Sequence, residues 1–238
     1  MNFEQKKQLA EDLTECYVIK NDKIRKIIIN NLPEAISKSC ERCGSLFFDV
    51  LMIVERCLDY SDGIEKLLMI VGSLEKNSDP MQKVCETILR IWISDEPAIS
   101  YKKTAQLLAI LLQKQIHEDK LTDCYLESLF DDFNPISQKG SLFSIVIHLT
   151  SIPKLHGIWP ILIFAQRFYE KNDDKQVKIL LKNWTDSINH KEDIKNFNSV
   201  RSQYPVKYKY NGCIGIDFGP TYSVIAIYDE RKKQPCSC

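Results

Sequence analysis

An internal repeat constrains this chain more than any other feature of its sequence. Gly44-Ser45-Leu46-Phe47 recurs as Gly140-Ser141-Leu142-Phe143, 96 residues further on. Other matches follow in the same order: Gly63-Ile64 with Gly157-Ile158, Glu75-Lys76-Asn77 with Glu170-Lys171-Asn172, and Trp92 with Trp184. A collinear series of matches at similar offsets indicates a duplicated unit.

The apolar spacing inside each copy is helical. Leu9, Leu13, Cys16 and Tyr17 fall on one helix face, and Leu107, Leu108, Leu111 and Leu112 form a comparable stripe in the second copy. Asn21-Asp22 and Ser78-Asp79-Pro80 are typical of helix starts, and Asp62-Gly63 and His156-Gly157 of turns between helices. The sequence therefore predicts a mainly α protein of two tandem bundles, each of about five helices with its own hydrophobic core.

Composition excludes several functions. Lys+Arg and Asp+Glu number 32 each, so the chain lacks the basic excess of a nucleic-acid binder. The first residues lack the apolar segment of a secretory signal, and no apolar run is long enough for a membrane span. Nine cysteines without a signal sequence favour reduced thiols. We expect a cytoplasmic protein that binds neither nucleic acid nor membrane.

The repeated unit resembles the effector-associated domains of bacterial signalling and conflict proteins. The resemblance rests on the Leu-rich first helix, on Gly63-Ile64 followed by Leu67-Leu68, and on the second-copy run from Leu149 to Phe164, with Trp184 behind it. It assigns residues 1–97 and 98–198 to two such domains and implies a non-enzymatic adaptor whose partners are other proteins, including like domains. A general helical-repeat protein remains the alternative.

A second motif follows a polar linker at residues 199–211. Ile214-Gly215-Ile216-Asp217-Phe218-Gly219-Pro220-Thr221-Tyr222-Ser223 lies between two β-rich runs, which predicts a hairpin. It resembles the first phosphate loop of DnaK-type chaperones, members of the actin-like ATPase superfamily. The resemblance implies that Asp217 would face the metal and that Gly219, Thr221 and Tyr222 would line the phosphates of Mg-ATP.

Two features argue against a working ATPase in this chain. Pro220 stands where the family has a threonine, which removes an N–H donor and a hydroxyl from the turn. Residues 212–238 are also too few to build a nucleotide cleft. We therefore expect a truncated start of an ATPase domain that needs no cofactor, and an unrelated hairpin stays open as the alternative.

The remaining candidate sites have simpler interpretations. Cys40-x-x-Cys43 lacks a second ligand pair, so a turn is favoured over a metal site. His148 lies in an apolar helix and is interpreted as packed, and the other histidines, His117, His156 and His190, are scattered. Asp131-Asp132 and Asp173-Asp174 are interpreted as helix caps, and Glu11, Asp12 and Glu15 as a solvated helix face.

Two functional hypotheses follow. The first is an interaction adaptor that recruits partners through its helical bundles and is not an enzyme. The alternative is an ATP-binding chaperone-family fragment whose nucleotide site begins at Asp217 and runs to Tyr222.

Overall fold

A computed structural model shows a mainly helical protein. It describes residues 1–40, 44–93, 100–114, 116, 118–129, 141–152, 159–186, 214–218, 223–229 and 234–236. The chain divides into two compact units, Met1–Val200 and Arg201–Cys238. The prediction of a mainly α fold is confirmed.

The first copy contains five long helices and two single-turn helices in its described part. They are α1 (Phe3–Glu15), α2 (Tyr17–Lys20), α3 (Asp22–Asn31), α4 (Glu34–Ser37), α5 (Leu46–Leu58), α6 (Gly63–Glu75) and α7 (Asp79–Trp92). The second copy contains α8 (Tyr101–Gln113), α9 (Glu118–Leu126), α10 (Leu142–Ser151), α11 (Pro160–Asn172) and α12 (Lys175–Asp186). The five long helices of the first copy thus have five counterparts in the described part of the second.

The offsets between these helices are nearly constant. The pairs α3/α9, α5/α10 and α7/α12 start 96 residues apart, α6/α11 start 97 apart, and α1/α8 start 98 apart. Five helices that recur in order at almost one spacing are what a duplicated unit produces.

Local sequence explains where several helices begin. Asn2 accepts from the backbone N–H of Gln5, whose side chain accepts in turn from the backbone N–H of Asn2, and this capping box starts α1. The side chains of Asn21, Ser78 and Ser141 accept backbone N–H groups at the starts of α3, α7 and α10. The predicted helix starts at Asn21 and Ser78 are therefore confirmed.

The connection between the last two helices of each copy has the same design. Lys76 ends α6 with φ at 64°, and Asp173 ends α11 with φ at 46°. Ser78 then caps α7, and Asp174 accepts from the N–H groups of Gln176 and Val177 at the start of α12. Both residues have the positive φ that is uncommon outside glycine, although ψ is −159° at Lys76 and 45° at Asp173. The interpretation of Asp174 as a helix cap is confirmed.

One sequence match needs correction. The constant spacing of α7 and α12 pairs Trp184 with Ile88, one helical turn before Trp92. Both Ile88 and Trp184 are fully buried. Trp92 is half-buried, and its ring meets the ring of Phe143 edge-on at 5.6 Å between centroids. Trp92 and Trp184 therefore do not occupy equivalent positions in the two copies.

The two copies share one core, so the prediction of a separate core in each copy is wrong. Buried apolar side chains from Leu9 to Trp184 form one continuous cluster. The reason is α8, which packs against α6 and α7 of the first copy as well as against α10 and α12 of its own. The predicted boundary between residues 97 and 98 lies outside the described residues.

The second unit contains three strands, β1 (Ile214–Phe218), β2 (Ser223–Asp229) and β3 (Gln234–Cys236). They form an antiparallel sheet in the order β1-β2-β3, in which Ile214 pairs with Ile227 and Phe218 with Ser223. This pairing carries no information about nucleotide binding, because antiparallel neighbours occur in many folds. The predicted linker at residues 199–211 lies outside the described residues.

Candidate interaction surfaces

Asp12 is the most buried carboxylate of the first copy. Its side chain is fully enclosed, Oδ2 accepts from Thr87 Oγ1 at 2.5 Å, and Oδ1 accepts from Lys83 Nζ at 2.8 Å. Gln8 Nε2 also donates to Oδ1 at 3.1 Å. The interpretation of Asp12 as part of a solvated face is wrong, because these bonds fasten α1 to α7. A buried carboxylate whose two oxygens both accept hydrogen bonds is fully satisfied by these contacts.

Arg25 forms a second buried polar cluster. Nη1 donates to the backbone oxygen of Ile19 at 2.7 Å, and Nη2 donates to Asp22 Oδ1 at 2.8 Å and to Asp49 Oδ2 at 3.4 Å. Arg25 and Asp49 are both buried and Asp22 is exposed, so this network joins α2, α3 and α5 and reaches the surface at Asp22. Buried pairs of this kind fix the relative positions of elements more than they add stability.

Each copy has a polar contact between a residue that follows its first helix and the connection that precedes its last helix. In the first copy, Glu75 Oε2 accepts from the backbone N–H of Val18 at 2.9 Å, and Glu75 Oε1 accepts from Ser78 Oγ at 3.0 Å. In the second copy, Lys114 forms an ion pair with the buried Asp174. Glu75, Lys114 and Asp174 therefore hold helices of the same chain together.

The histidine and cysteine side chains of the described part show packing roles. His148 is half-buried and its Nδ1 lies 2.9 Å from Tyr125 Oη, and burial lowers the pKa of His148. This confirms its interpretation as a packed residue. Burial raises the pKa of Cys16 and of Cys57 to about 12, so both are protonated thiols at neutral pH.

No metal site is present in the part of the chain that the structure describes. No group of three or more His, Cys, Asp or Glu side chains could hold an ion there. Cys40 is a free, half-buried thiol, and Cys43 lies outside the described residues. His117, His156, His190 and the pair Asp131-Asp132 lie outside them too.

The predicted phosphate-loop residues are only partly described. Asp217 lies in β1, where it pairs with Val224 of β2. Gly219, Thr221 and Tyr222 lie outside the described residues, as does Pro220. Their assignment to a nucleotide site stays a prediction.

Large apolar side chains that remain exposed in the described residues are concentrated in the first copy. They are Phe3, Tyr17, Ile27, Phe48, Tyr60, Met69 and Leu74, against Leu126 and Ile179 in the second copy. Single exposed apolar residues are normal, so exposure alone does not define a site.

The most extensive apolar contact between the copies involves α8. Its buried residues lie all around the helix: Thr104, Ala105, Leu107, Leu108, Ala109, Ile110, Leu111 and Leu112. A helix that is apolar on every side needs partners on more than one side. We call the part of α6 and α7 that α8 covers the docking face. It includes Gly72, Arg90 and Ile93, the residue that follows the last residue of α7.

Three contacts define the docking face. A Cβ placed on Gly72 would lie 2.7 Å from Leu112 Cβ, so the glycine permits a close approach of α8. Tyr101 Oη donates to the backbone oxygen of Ile93 at 3.4 Å. The guanidinium carbon of Arg90 lies 4.8 Å from the centre of the Tyr101 ring, within the range of a cation–π contact.

Comparison with known families shows a similarity in the first copy. The family model of effector-associated domain 2 matches residues 10–88, about a third of the chain. This stretch runs from α1 to α7, so the helical first copy is similar to effector-associated domains. The search of curated proteins and the search of solved structures each found no match.

The comparisons give no support to the chaperone resemblance of the C-terminal segment, and its identity stays a prediction. Within the described residues, no helix is both long and apolar enough to cross a membrane.

Proposed function

We propose that this chain is a protein-interaction adaptor built from two tandem effector-associated-type units, with no catalytic role of its own. The observation that carries the proposal is the use made of its buried charges. Asp12, Arg25, Asp49 and Asp174 all take part in bonds between or within helices. Ionisable groups that are committed to bonds within the fold are not available for catalysis, and the match of residues 10–88 to effector-associated domain 2 supports the adaptor role.

The second helical copy is assigned by its equivalence to the first copy. The family match ends at residue 88, in α7. The near-constant helix spacing relates that stretch to the helices of residues 101–186. We therefore propose that residues 101–186 form a second effector-associated-type unit whose sequence has diverged.

The partners we propose are other proteins that carry like helical domains. The test is a binding titration of the full chain against a panel of purified proteins with effector-associated-type domains, followed by biolayer interferometry. We expect saturable binding to at least one of them, weakened by the double substitution Tyr17→Ser/Phe48→Ser on exposed side chains. A matched control replaces two exposed polar residues, Lys20→Ser and Lys38→Ser. The absence of binding across the panel would contradict the proposal.

The alternative function, nucleotide binding, rests on the sequence motif that begins at Asp217. Isothermal titration of the full chain with Mg-ATP separates the two hypotheses. The adaptor proposal expects no heat of binding, whereas micromolar binding that disappears in Asp217→Ala would favour the alternative. Because the change is at a strand residue, circular dichroism of the variant is the control for folding.

A further inference from the structure

The docking face receives α8, the first helix of the second copy, and α1 is the equivalent helix of the first copy. Aligning the starts of α1 and α8 sets Phe3 opposite Tyr101 and Gln8-Leu9 opposite Gln106-Leu107. One face of α8 runs through Tyr101, Ala105, Ala109 and Leu112; Tyr101 and Leu112 contact the first copy, and both alanines are buried. The corresponding positions of α1 can be compared with it one by one.

The equivalent stripe of α1 is charged where α8 is apolar. It consists of Phe3, Lys7, Glu11 and Thr14, and we call it the outer stripe. Lys7 is equivalent to Ala105, and Glu11 is equivalent to Ala109. Lys7 Nζ lies 3.9 Å from Glu11 Oε1 across one helical turn. Thr14 stands for Leu112. Charged side chains of this length would lose solvent contact if the stripe docked as α8 does.

The other end of the tandem is closed in a different way. The alignment of α6 with α11 sets Tyr169 opposite Gly72. In the first copy, the missing side chain of Gly72 leaves the room that Leu112 occupies. In the second copy, a half-buried tyrosine stands at the equivalent position, and Lys178 Nζ lies 5.6 Å from the centre of its ring. The position that permits close approach in the first copy therefore carries a large side chain in the second.

We infer that the α6–α7 surface is the docking site for the first helix of a like unit, and that the second copy occupies this site within the chain. The outer stripe and Tyr169 stop a second chain from docking in the same way. This inference rests on the proposed function in treating pairing between like units as the purpose of the fold. The interface is heterologous: different surfaces of the two units meet. Such an interface continues into a filament unless something ends it. Repeat arrays are commonly ended by a polar outer face on the terminal unit. The charged outer stripe is such a face at one end of this tandem, and Tyr169 stands at the other end.

The test opens both ends of the full-length chain. The opened variant combines Lys7→Ala, Glu11→Ala and Thr14→Leu, which copy α8 into α1, with Tyr169→Gly, which copies Gly72 into α11. Sedimentation velocity over a wide range of concentration measures the mass of the species in solution. We expect the opened variant to grow past the dimer as concentration rises, because a head-to-tail contact does not close on two subunits. We expect the native chain not to form such a series.

Two controls separate this effect from simple stickiness or unfolding. A matched variant removes the exposed i, i+4 ion pair of α4 (Glu34→Ala/Lys38→Ala) and adds Thr122→Leu away from the outer stripe; it should sediment as the native chain does. A three-substitution variant that keeps Tyr169 should do so as well, since one end stays blocked. If Tyr169→Gly lowers the helical circular dichroism signal, Tyr169→Ala replaces it.

The inference is overturned if the folded opened variant has the mass distribution of the matched variant. It is also overturned if the native chain forms a growing series that Tyr169→Ala does not change. Failure of the proposed function would appear elsewhere, as a lack of binding to the panel of like-domain proteins. The two failures are therefore distinguishable.

Discussion

Gly72 offers a prediction whose sign can be reversed. In an open helix interior, Gly→Ala stabilises a protein by about 1 kcal/mol through helix propensity. At this position the new Cβ would lie 2.7 Å from Leu112 Cβ and 3.3 Å from Leu112 Cδ1, so α6 and α8 must move apart. Overpacking of a core costs about 1–3 kcal/mol. We therefore expect Gly72→Ala to be destabilising by about 1 kcal/mol on balance.

Removing the side chain of Leu112 should change that sign. Leu112→Gly is destabilising by itself, but it removes both atoms that Gly72→Ala would meet first. In the Leu112→Gly background, Gly72→Ala should therefore stabilise the protein by about 1 kcal/mol, the helix-propensity gain. The coupling between the two sites would be about 2 kcal/mol, in the range seen for residues in direct contact.

Urea unfolding followed by circular dichroism measures all four members of this cycle. Ser73→Ala is the matched control on the neighbouring residue, where only a hydroxyl bond to the Ile70 oxygen is lost, and its effect should stay within about 1 kcal/mol. The reasoning is refuted if Gly72→Ala is stabilising in the native background, or if its effect is the same with and without Leu112.

Three further predictions concern single residues. Lys76→Gly should raise the free energy of unfolding by about 1 kcal/mol, measured in urea, because φ of 64° with ψ of −159° is a region that glycine adopts without strain. Arg25→Ala should lower it by about 3–5 kcal/mol, since the buried Asp49 loses its guanidinium, whereas Lys38→Ala on the exposed α4 pair should change it by less than about 1 kcal/mol. The lowered pKa of His148 means that the folded state favours the neutral imidazole. The resulting stabilisation is complete above the ordinary histidine pKa and is lost as the pH falls through the lowered pKa of the folded state. The melting temperature should therefore drop on acidification, and it should drop less in His148→Gln.

The duplication and the helices could be read from sequence because they depend on short-range patterns. Gly44-Ser45 and Gly140-Ser141 precede helices that the structure places 96 residues apart, and Ser78 caps the helix expected of it. These features need only local backbone geometry and capping.

The shared core and the burial of Asp12 could not be predicted in the same way. The apolar pattern of one helix does not say how many neighbours cover it, and an acidic residue beside Glu11 is ordinarily exposed. One usable signal was present: Ala105, Ala109 and Leu112 are apolar where α1 has Lys7, Glu11 and Thr14. A difference of this kind between two copies of a unit marks the surface that one of them buries.

The most direct test of the two-unit module is to cut it between the copies. A protease recognition sequence replaces residues 94–99, the chain is cleaved after folding, and size-exclusion chromatography with light scattering measures the mass of the products. Because α8 buries an apolar surface on α6 and α7, we predict that both halves stay together as one species with the mass of the uncut chain. Two separate folded fragments would show that each copy closes its own core and would contradict the account.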